Sequence, residues 1–132
     1  MDKKKKVLII EDELVIALDI KYSLESQGFE VCDFISSAEE ALTRLDNIKP
    51  DIIVIDIVLE GMMDGIELAE IINEKYQIPI IYITALDDKK TYQDAQKTRP
   101  ICFLVKPYGD KELLSWVNVA LEQSEKQKIK KN

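Results

Sequence analysis

The sequence predicts an α/β domain built on a doubly wound, five-stranded parallel sheet, and three observations predict it. Short runs of aliphatic and β-branched residues recur five times, beginning at Val7, Phe29, Asp51, Pro79 and Ile101. After each comes a stretch with helical spacing of its apolar residues, joined by connections of only about two to seven residues. Strands and helices therefore alternate, and successive strands are linked by right-handed crossovers. The run from Ile52 to Ile55 has no polar face at all, as expected of a strand covered on both sides by helices.

From the N-terminus, Val7 to Ile10 is a short buried strand that ends in Glu11-Asp12-Glu13. Between Glu13 and Gln27, Ile16, Ile20 and Leu24 stand four apart with Ala17 beside them, which makes an amphipathic helix of about four turns. Gly28 follows where a helix C-cap favours positive φ. Phe29 to Ile35 alternates poorly but is aromatic and β-branched enough for a second strand. Ser36-x-x-Glu39 and Ser37-x-x-Glu40 read as overlapping capping boxes of a helix over about Ala38 to Asn47. That helix packs through Ala41, Leu42 and Leu45, and Lys49-Pro50 stops it.

The Asp51 to Asp56 strand comes next, and Asp64-Gly65 opens a third helix through Ile66, Leu68, Ala69, Ile71 and Ile72 to near Tyr76. Pro79 to Ala85 is a fourth strand, ending in the hydroxyl of Thr84. The helix from about Asp88 to Thr98 has only Tyr92 and Ala95 to bury, so low local stability is expected. Ile101 to Val105 is the fifth strand, ending in Lys106-Pro107. Leu113, Val117, Ala120 and Leu121 line a last helix from about Asp110 to Gln123. The whole is flavodoxin-like, (βα)5, with an expected strand order of 2-1-3-4-5. No glycine-rich phosphate cradle follows the first strand, which argues against a dinucleotide or a flavin.

The 132 residues fit one domain, expected over residues 1–124, with a charged tail at 125–132 that extends the last helix. The net charge of -7 is uneven, because lysines occupy 3–6, 126, 128, 130 and 131. Residues 7–125 are left with 10 basic and 24 acidic side chains, a net of -14. So acidic a body repels phosphate backbones, and direct nucleic-acid binding is a poor hypothesis. Cys32 and Cys102 stand apart in apolar segments without ligand-like spacing, and read as small buried hydrophobes of a reduced, cytoplasmic protein. The apolar run after Lys3 to Lys6 is too short for a signal peptide, so neither export nor membrane insertion is expected.

Collected, the strand ends present Glu11, Asp12, Asp56, Thr84 and Lys106 at one edge, the carboxyl edge where open α/β sheets bind ligands. One such aspartate is ordinarily a turn former, and one such lysine a surface side chain. Repetition over four strands points instead to a site. Two full charges about 4 Å apart repel by about 4 kcal/mol at an effective dielectric near 20, and one lysine cannot neutralise three acids. A hard divalent cation, Mg²⁺ or Mn²⁺, can. With a carboxylate, a hydroxyl and an ammonium around it, the arrangement makes a phosphoryl-transfer site with Asp56 as nucleophile. The chain has no histidine and needs none, since an ionised aspartate requires no base.

Ile-Ile-Glu11-Asp12-Glu13, Val-Ile-Asp56-Ile-Val-Leu-x-Gly61-x-x-Asp64-Gly65-Ile, Ile-Thr84-Ala85 and Phe103-Leu-Val-Lys106-Pro107-Tyr resemble the receiver domains of two-component response regulators. The motifs stand in that family's order and spacing over about residues 5 to 123. The resemblance implies a phosphorylation-controlled switch that catalyses only its own phosphorylation and dephosphorylation. A sensor histidine kinase or histidine phosphotransfer protein would supply the phosphoryl group to Asp56. Mg²⁺ would be held by Asp12, Asp56, the main-chain carbonyl of Val58 and, through water, Glu11. Thr84 and Lys106 would bind phosphoryl oxygens, Phe103 would be the rotating aromatic of the switch, and Lys106-Pro107 would be cis. An output protein or domain, or a second copy in a homodimer, would use the face of the fourth helix, fifth strand and fifth helix. The kinase would approach Leu14, Leu18 and the Pro107-Tyr108 loop.

Departures from the family pattern are few. Glu11 replaces a frequent Asp and lengthens the reach to the metal by one methylene. Arg99-Pro100 stands where Gly-Ala is common and stiffens the approach to Phe103, which lacks the hydroxyl of the frequent Tyr. Val58 and Leu86 are apolar and cannot orient an attacking water. The alternative from another class is a phosphatase of the haloacid-dehalogenase type, but its general acid would occupy position 58, which is Val58, and no cap domain is present. A degenerate receiver serving only as a scaffold would have lost the phosphoacceptor, a metal ligand or the lysine, and none is lost. Such motifs occur in single-domain regulators and in receivers attached to sensor kinases or other outputs.

Overall fold

Strands and helices alternate throughout the described residues: β1 (Lys6–Ile10), α1 (Leu14–Glu25), β2 (Glu30–Ile35), α2 (Ala38–Ile48), β3 (Ile52–Asp56), α3 (Gly65–Lys75), β4 (Ile80–Thr84), α4 (Lys89–Gln96), β5 (Cys102–Val105) and α5 (Asp110–Lys131). The computed structural model describes residues 4–85 and 88–131, the last five of these as backbone only. Lys3 and Leu86 lie outside the described residues. All four strand pairings are parallel, in the order β2-β1-β3-β4-β5, which is the expected order.

Alternating side chains on the central strands divide the core in two. Val7, Ile9, Ile52, Val54, Ile81 and Ile83 face α1 and α5, where Ala17, Ile20, Leu24, Leu113 and Val117 cover them. Leu8, Ile10, Ile53, Ile55, Ile80 and Tyr82 face α2, α3 and α4. Every one of these strand residues is at most 3% exposed, so β1, β3 and β4 are covered on both faces. Their carboxyl ends are therefore held in a rigid row.

The poor alternation of β2 has a structural cause. Val7 pairs with Val31 but Leu8 pairs with Asp33, so Cys32 is the extra residue of a β-bulge. Its thiol donates to the Val7 carbonyl at 3.2 Å. Before the bulge Val31 faces the α1/α5 core and Cys32 the other; after it Phe34 and Ile35 repeat that order. One inserted residue shifts the parity of a strand, and a period of two cannot survive it.

Helix ends follow local chemistry with two corrections. Gly28 adopts φ +92, its N–H bonds the Glu25 carbonyl, and Phe29 N–H bonds the Leu24 carbonyl, a Schellman ending. Asp64 and Glu67 form a complete capping box on α3. Of the two boxes expected on α2, Ser37 caps Glu40 N–H, whereas Glu39 turns away from Ser36 and accepts from Met62 N–H and Met63 N–H. The second correction is at α4, where Ala95 is buried but Tyr92 is 40% exposed. That helix is anchored even less than its sequence indicates. In addition, α5 continues through the lysine-rich segment to Lys131.

The two cysteines are half-buried rather than fully buried, and both are free. They sit on β2 and β5, the opposite edges of the sheet. Burial raises both thiols, Cys102 to about 12 with a further push from Glu112. Since the thiolate is the reactive form, both should resist iodoacetamide at neutral pH in the native state, yet titrate as two free thiols after denaturation without reductant. Mass spectrometry of the alkylated protein checks this, and a disulfide-linked species would contradict it.

Candidate functional site

Asp56 is the last residue of β3 and continues the row of Ile52 and Val54, so it lies on the α1/α5 side of the sheet. It is 4% exposed. Its Oδ1 accepts from Val58 N–H at 2.9 Å, and its Oδ2 accepts from Lys106 Nζ at 3.2 Å. Glu11, just past β1, is 2% exposed. Its Oε2 accepts from Glu13 N–H at 3.2 Å, while its Oε1 is buried without a hydrogen-bond partner, 3.6 Å from Lys106 Nζ. Asp12 Oδ2 accepts from Glu60 N–H at 2.9 Å.

One oxygen each from Glu11, Asp12 and Asp56 lies within 4.8 Å of the others. At an effective dielectric near 20, two full charges about 5 Å apart repel by about 3 kcal/mol. Burial, and then the neighbouring Asp56 carboxylate, push Glu11 up to about 8 against the opposing bond from Glu13 N–H. For Lys106, burial favours the neutral amine, but Asp56 and Glu11 outweigh it and hold the ammonium above its ordinary value. A single ammonium is thus shared between two acids, and one buried acid oxygen is left without a hydrogen bond. A buried polar atom without a partner is costly, and three hard oxygens around it suit a small divalent cation that retains some of its water. The donor set fits Mg²⁺ or Mn²⁺.

A cleft of about 430 Å³ opens over this edge, lined by Asp12, Asp56, Val58, Glu60, Ala85 and Lys106. Val58, on the lip, is 73% exposed. Thr84 is different. It ends β4 in the row of Ile80 and Tyr82, on the α2–α4 side. It is 2% exposed and absent from the cleft lining. The structure therefore brings Glu11, Asp12, Asp56 and Lys106 together and sets Thr84 behind them, toward the aromatics. Phe103 is half-buried, stacked on Tyr82 with ring centroids 5.5 Å apart and tilted against Tyr92 at 4.5 Å. The Tyr82 hydroxyl bonds Thr98 Oγ1 at 2.6 Å in the core. Lys106-Pro107 is cis, as the resemblance implies.

Sequence reasoning read Tyr92 only as a residue to bury and Glu39 only as a cap, and gave Tyr82 no role, so it missed their tertiary contacts. Tyr82 reads as one more apolar residue of a buried strand, and nothing in its local pattern places it against Phe103. For Glu39 the one signal is Gly61, a glycine in a loop otherwise rich in large side chains.

The Response regulator receiver domain family model matches residues 7–118. The Alkaline phosphatase synthesis transcriptional regulatory protein PhoP of Bacillus subtilis is 33% identical over 122 residues, 92% of this chain and 50% of that protein. Transcriptional regulatory protein PdtaR of Mycobacterium tuberculosis is 29% identical over 119 residues, 90% of this chain and 58% of that protein. The chain thus spans about half the length of these relatives. Among solved structures, the signal receiver domain of a modulated diguanylate cyclase from Desulfovibrio desulfuricans superposes with a TM-score of 0.90 at 32% identity, covering 95% of this chain and 99% of that one. A CheY-like response regulator receiver domain protein from Methanospirillum hungatei gives 0.86 at 25% identity, covering 95% and 99%.

Proposed function

This chain belongs to the response regulator receiver domain family, and from that premise we propose that it is a phosphorylation-controlled switch whose phosphoacceptor is Asp56. One observation carries the reading. A single carboxylate at the carboxyl edge of the sheet stands within 4.8 Å of two other acids, is paired to one lysine at 3.2 Å, and adjoins a buried oxygen of Glu11 that makes no hydrogen bond.

A sensor histidine kinase or a histidine phosphotransfer protein presents a phosphorylated imidazole. An Asp56 oxygen attacks phosphorus in line; the O–P bond forms as the P–N bond breaks, and the departing imidazole keeps the electron pair and takes a proton from solvent. Lys106 holds Asp56 Oδ2 beforehand, and its flexible stem lets the ammonium follow the charge to a phosphoryl oxygen. Asp12, Asp56, the Val58 carbonyl and, through water, Glu11 would hold Mg²⁺ or Mn²⁺, which would supply neutralisation of the charge on the phosphoryl oxygens. Val58 has no group to orient a hydrolytic water.

Thr84 reaches the phosphoryl group only by moving toward the cleft, which frees space on the side of Tyr82 and Phe103. Phe103 rotates into it, driven by packing since it has no hydroxyl, and α4 follows because Ala95 is its one buried residue. Phosphorylation thereby shifts the population of a two-state element. The face of α4, β5 and α5, where Tyr92 and Val105 are exposed, then docks an output protein or domain, or a second copy of the chain. The kinase approaches the exposed Leu14 and Leu18 of α1 and the Pro107-Tyr108 loop. Among the described residues, no helix is long and apolar enough to cross a membrane, and we place the switch in the cytoplasm with its kinase's catalytic parts.

Hydrogen exchange with and without beryllofluoride plus Mg²⁺ tests the switch. Protection is expected to change most in Lys89–Gln96 and Cys102–Val105 and least in α2. Equal changes in α2 and in these segments would rule the mechanism out.

A further inference from the structure

We infer that Glu39 is a positioning residue of the phosphoacceptor site, holding the loop between β3 and α3 in the conformation that the site requires. This rests on the roles of Asp56 and Val58 proposed above. Packing secures little of the loop: Ile57 and Leu59 are buried and Met63 is partly covered, but Val58, Glu60, Gly61 and Met62 are exposed. Carboxylates hold its amides instead. Val58 N–H donates to Asp56 Oδ1 and Glu60 N–H to Asp12 Oδ2, both at 2.9 Å. Met62 N–H and Met63 N–H both donate to Glu39 Oε1, at 3.1 and 3.0 Å. Two successive amides converging on one anionic oxygen form a concave backbone site joined by charge-assisted bonds.

Gly61 leaves room beside this carboxylate. It turns through φ +109, and a Cβ there would lie 3.2 and 3.4 Å from the two Glu39 oxygens. The three anchors differ in a way that matters for function. Asp12 and Asp56 belong to the site and must change partners when a cation or a phosphoryl group arrives. Glu39, on α2, does not. It keeps the loop, and with it the Val58 carbonyl, in place while the other two bonds are rearranged.

The test compares Glu39→Ala with Glu39→Gln, whose amide oxygen can still accept both bonds, and with Glu40→Ala, whose native side chain faces Arg44 instead. Three quantities are measured: exchange of the Met62 and Met63 amides in metal-free protein, Mg²⁺ affinity by titration, and the thermal midpoint. In Glu39→Ala the two amides should exchange faster and Mg²⁺ affinity should fall about tenfold, the scale of losing a group one step behind a metal ligand. Glu39→Gln should restore most of both, and Glu40→Ala should leave both unchanged. Wild-type exchange and affinity in Glu39→Ala would overturn the inference, as would equal losses in the two alanine variants that track the midpoint. Wild-type protein that binds no Mg²⁺ would overturn the functional reading instead, and the exchange data would still decide whether Glu39 holds the loop.

Discussion

Asp56→Asn is expected to reduce phosphoryl uptake from acetyl phosphate to background, a loss of about two orders of magnitude or more, while the fold is retained. The amide is nearly isosteric with the carboxylate, so it can still accept from Val58 N–H, the bond now made at 2.9 Å. What it lacks is an anionic oxygen to attack phosphorus. Lys106 loses one of its two carboxylate partners and keeps Glu11 at 3.6 Å. Intact-mass spectrometry provides the readout: wild-type protein should gain the mass of one phosphoryl group with Mg²⁺ and none with a chelator. A gain that persists in Asp56→Asn, or that forms equally well in the chelator, would place the modification on another residue and remove Asp56 from its assigned role.

The largest stability effect of a single methyl group is expected at Gly65. This residue opens α3, and its φ is not in the left-handed region; the reason for glycine is close approach. A Cβ there would collide with the main-chain carbonyl oxygen of Asp56, and it would also lie 2.9 Å from Ile55 Cγ2 and 3.0 Å from Ile57 Cα. None of these is the free end of a flexible side chain. They belong to β3 and its exit, buried between two helix layers, so relief requires the helix to move off the strand or the strand end to shift. Gly65→Ala should destabilise the protein by about 3 kcal/mol despite the better helix propensity of alanine. Since the atoms displaced include the backbone of Asp56, phosphoryl uptake should slow as well. Gly109→Ala is the control, because a Cβ there meets nothing within 4 Å; it should change stability by less than about 0.5 kcal/mol. Urea denaturation of both variants decides the matter, and equal midpoints would show that Gly65 is not tightly packed against Asp56.

The resemblance was legible in four short motifs because receiver chemistry is concentrated at strand ends. Apolar runs of period two or less, helical spacing and punctuation by Gly28, Pro50 and Asp64-Gly65 are local properties, and they locate every element of the sheet. Once the strands are parallel, their carboxyl ends share one edge, so Glu11, Asp12, Asp56, Thr84 and Lys106 had to fall along that edge. Local pattern does not reach across the chain, however. Met62 N–H and Met63 N–H lie 23 and 24 positions from the Glu39 carboxylate that binds them. Seen from α2 alone, Glu39 is an ordinary capping residue for Ser36, and only tertiary approach reveals that two unsatisfied loop amides compete for it and win.

By itself, then, the sequence determined the element order, the sheet edge where the strand-end acids gather and the identity of those acids and of Lys106, because each depends on residue type and short-range spacing. Tertiary structure alone decided three further matters. The bulge at Cys32 resets the parity of β2, because register is settled by pairing with β1. Asp56 and Lys106 meet on one face while Thr84 lies on the other, beside Tyr82, because which face a strand-end side chain takes depends on the parity and packing of its own strand. Glu11 Oε1 is left buried without a hydrogen bond, because Lys106 Nζ stands 3.2 Å from Asp56 but 3.6 Å from Glu11, too far to hydrogen-bond both acids. Each is a contest between groups distant in sequence, and its outcome depends on distances that no local pattern contains.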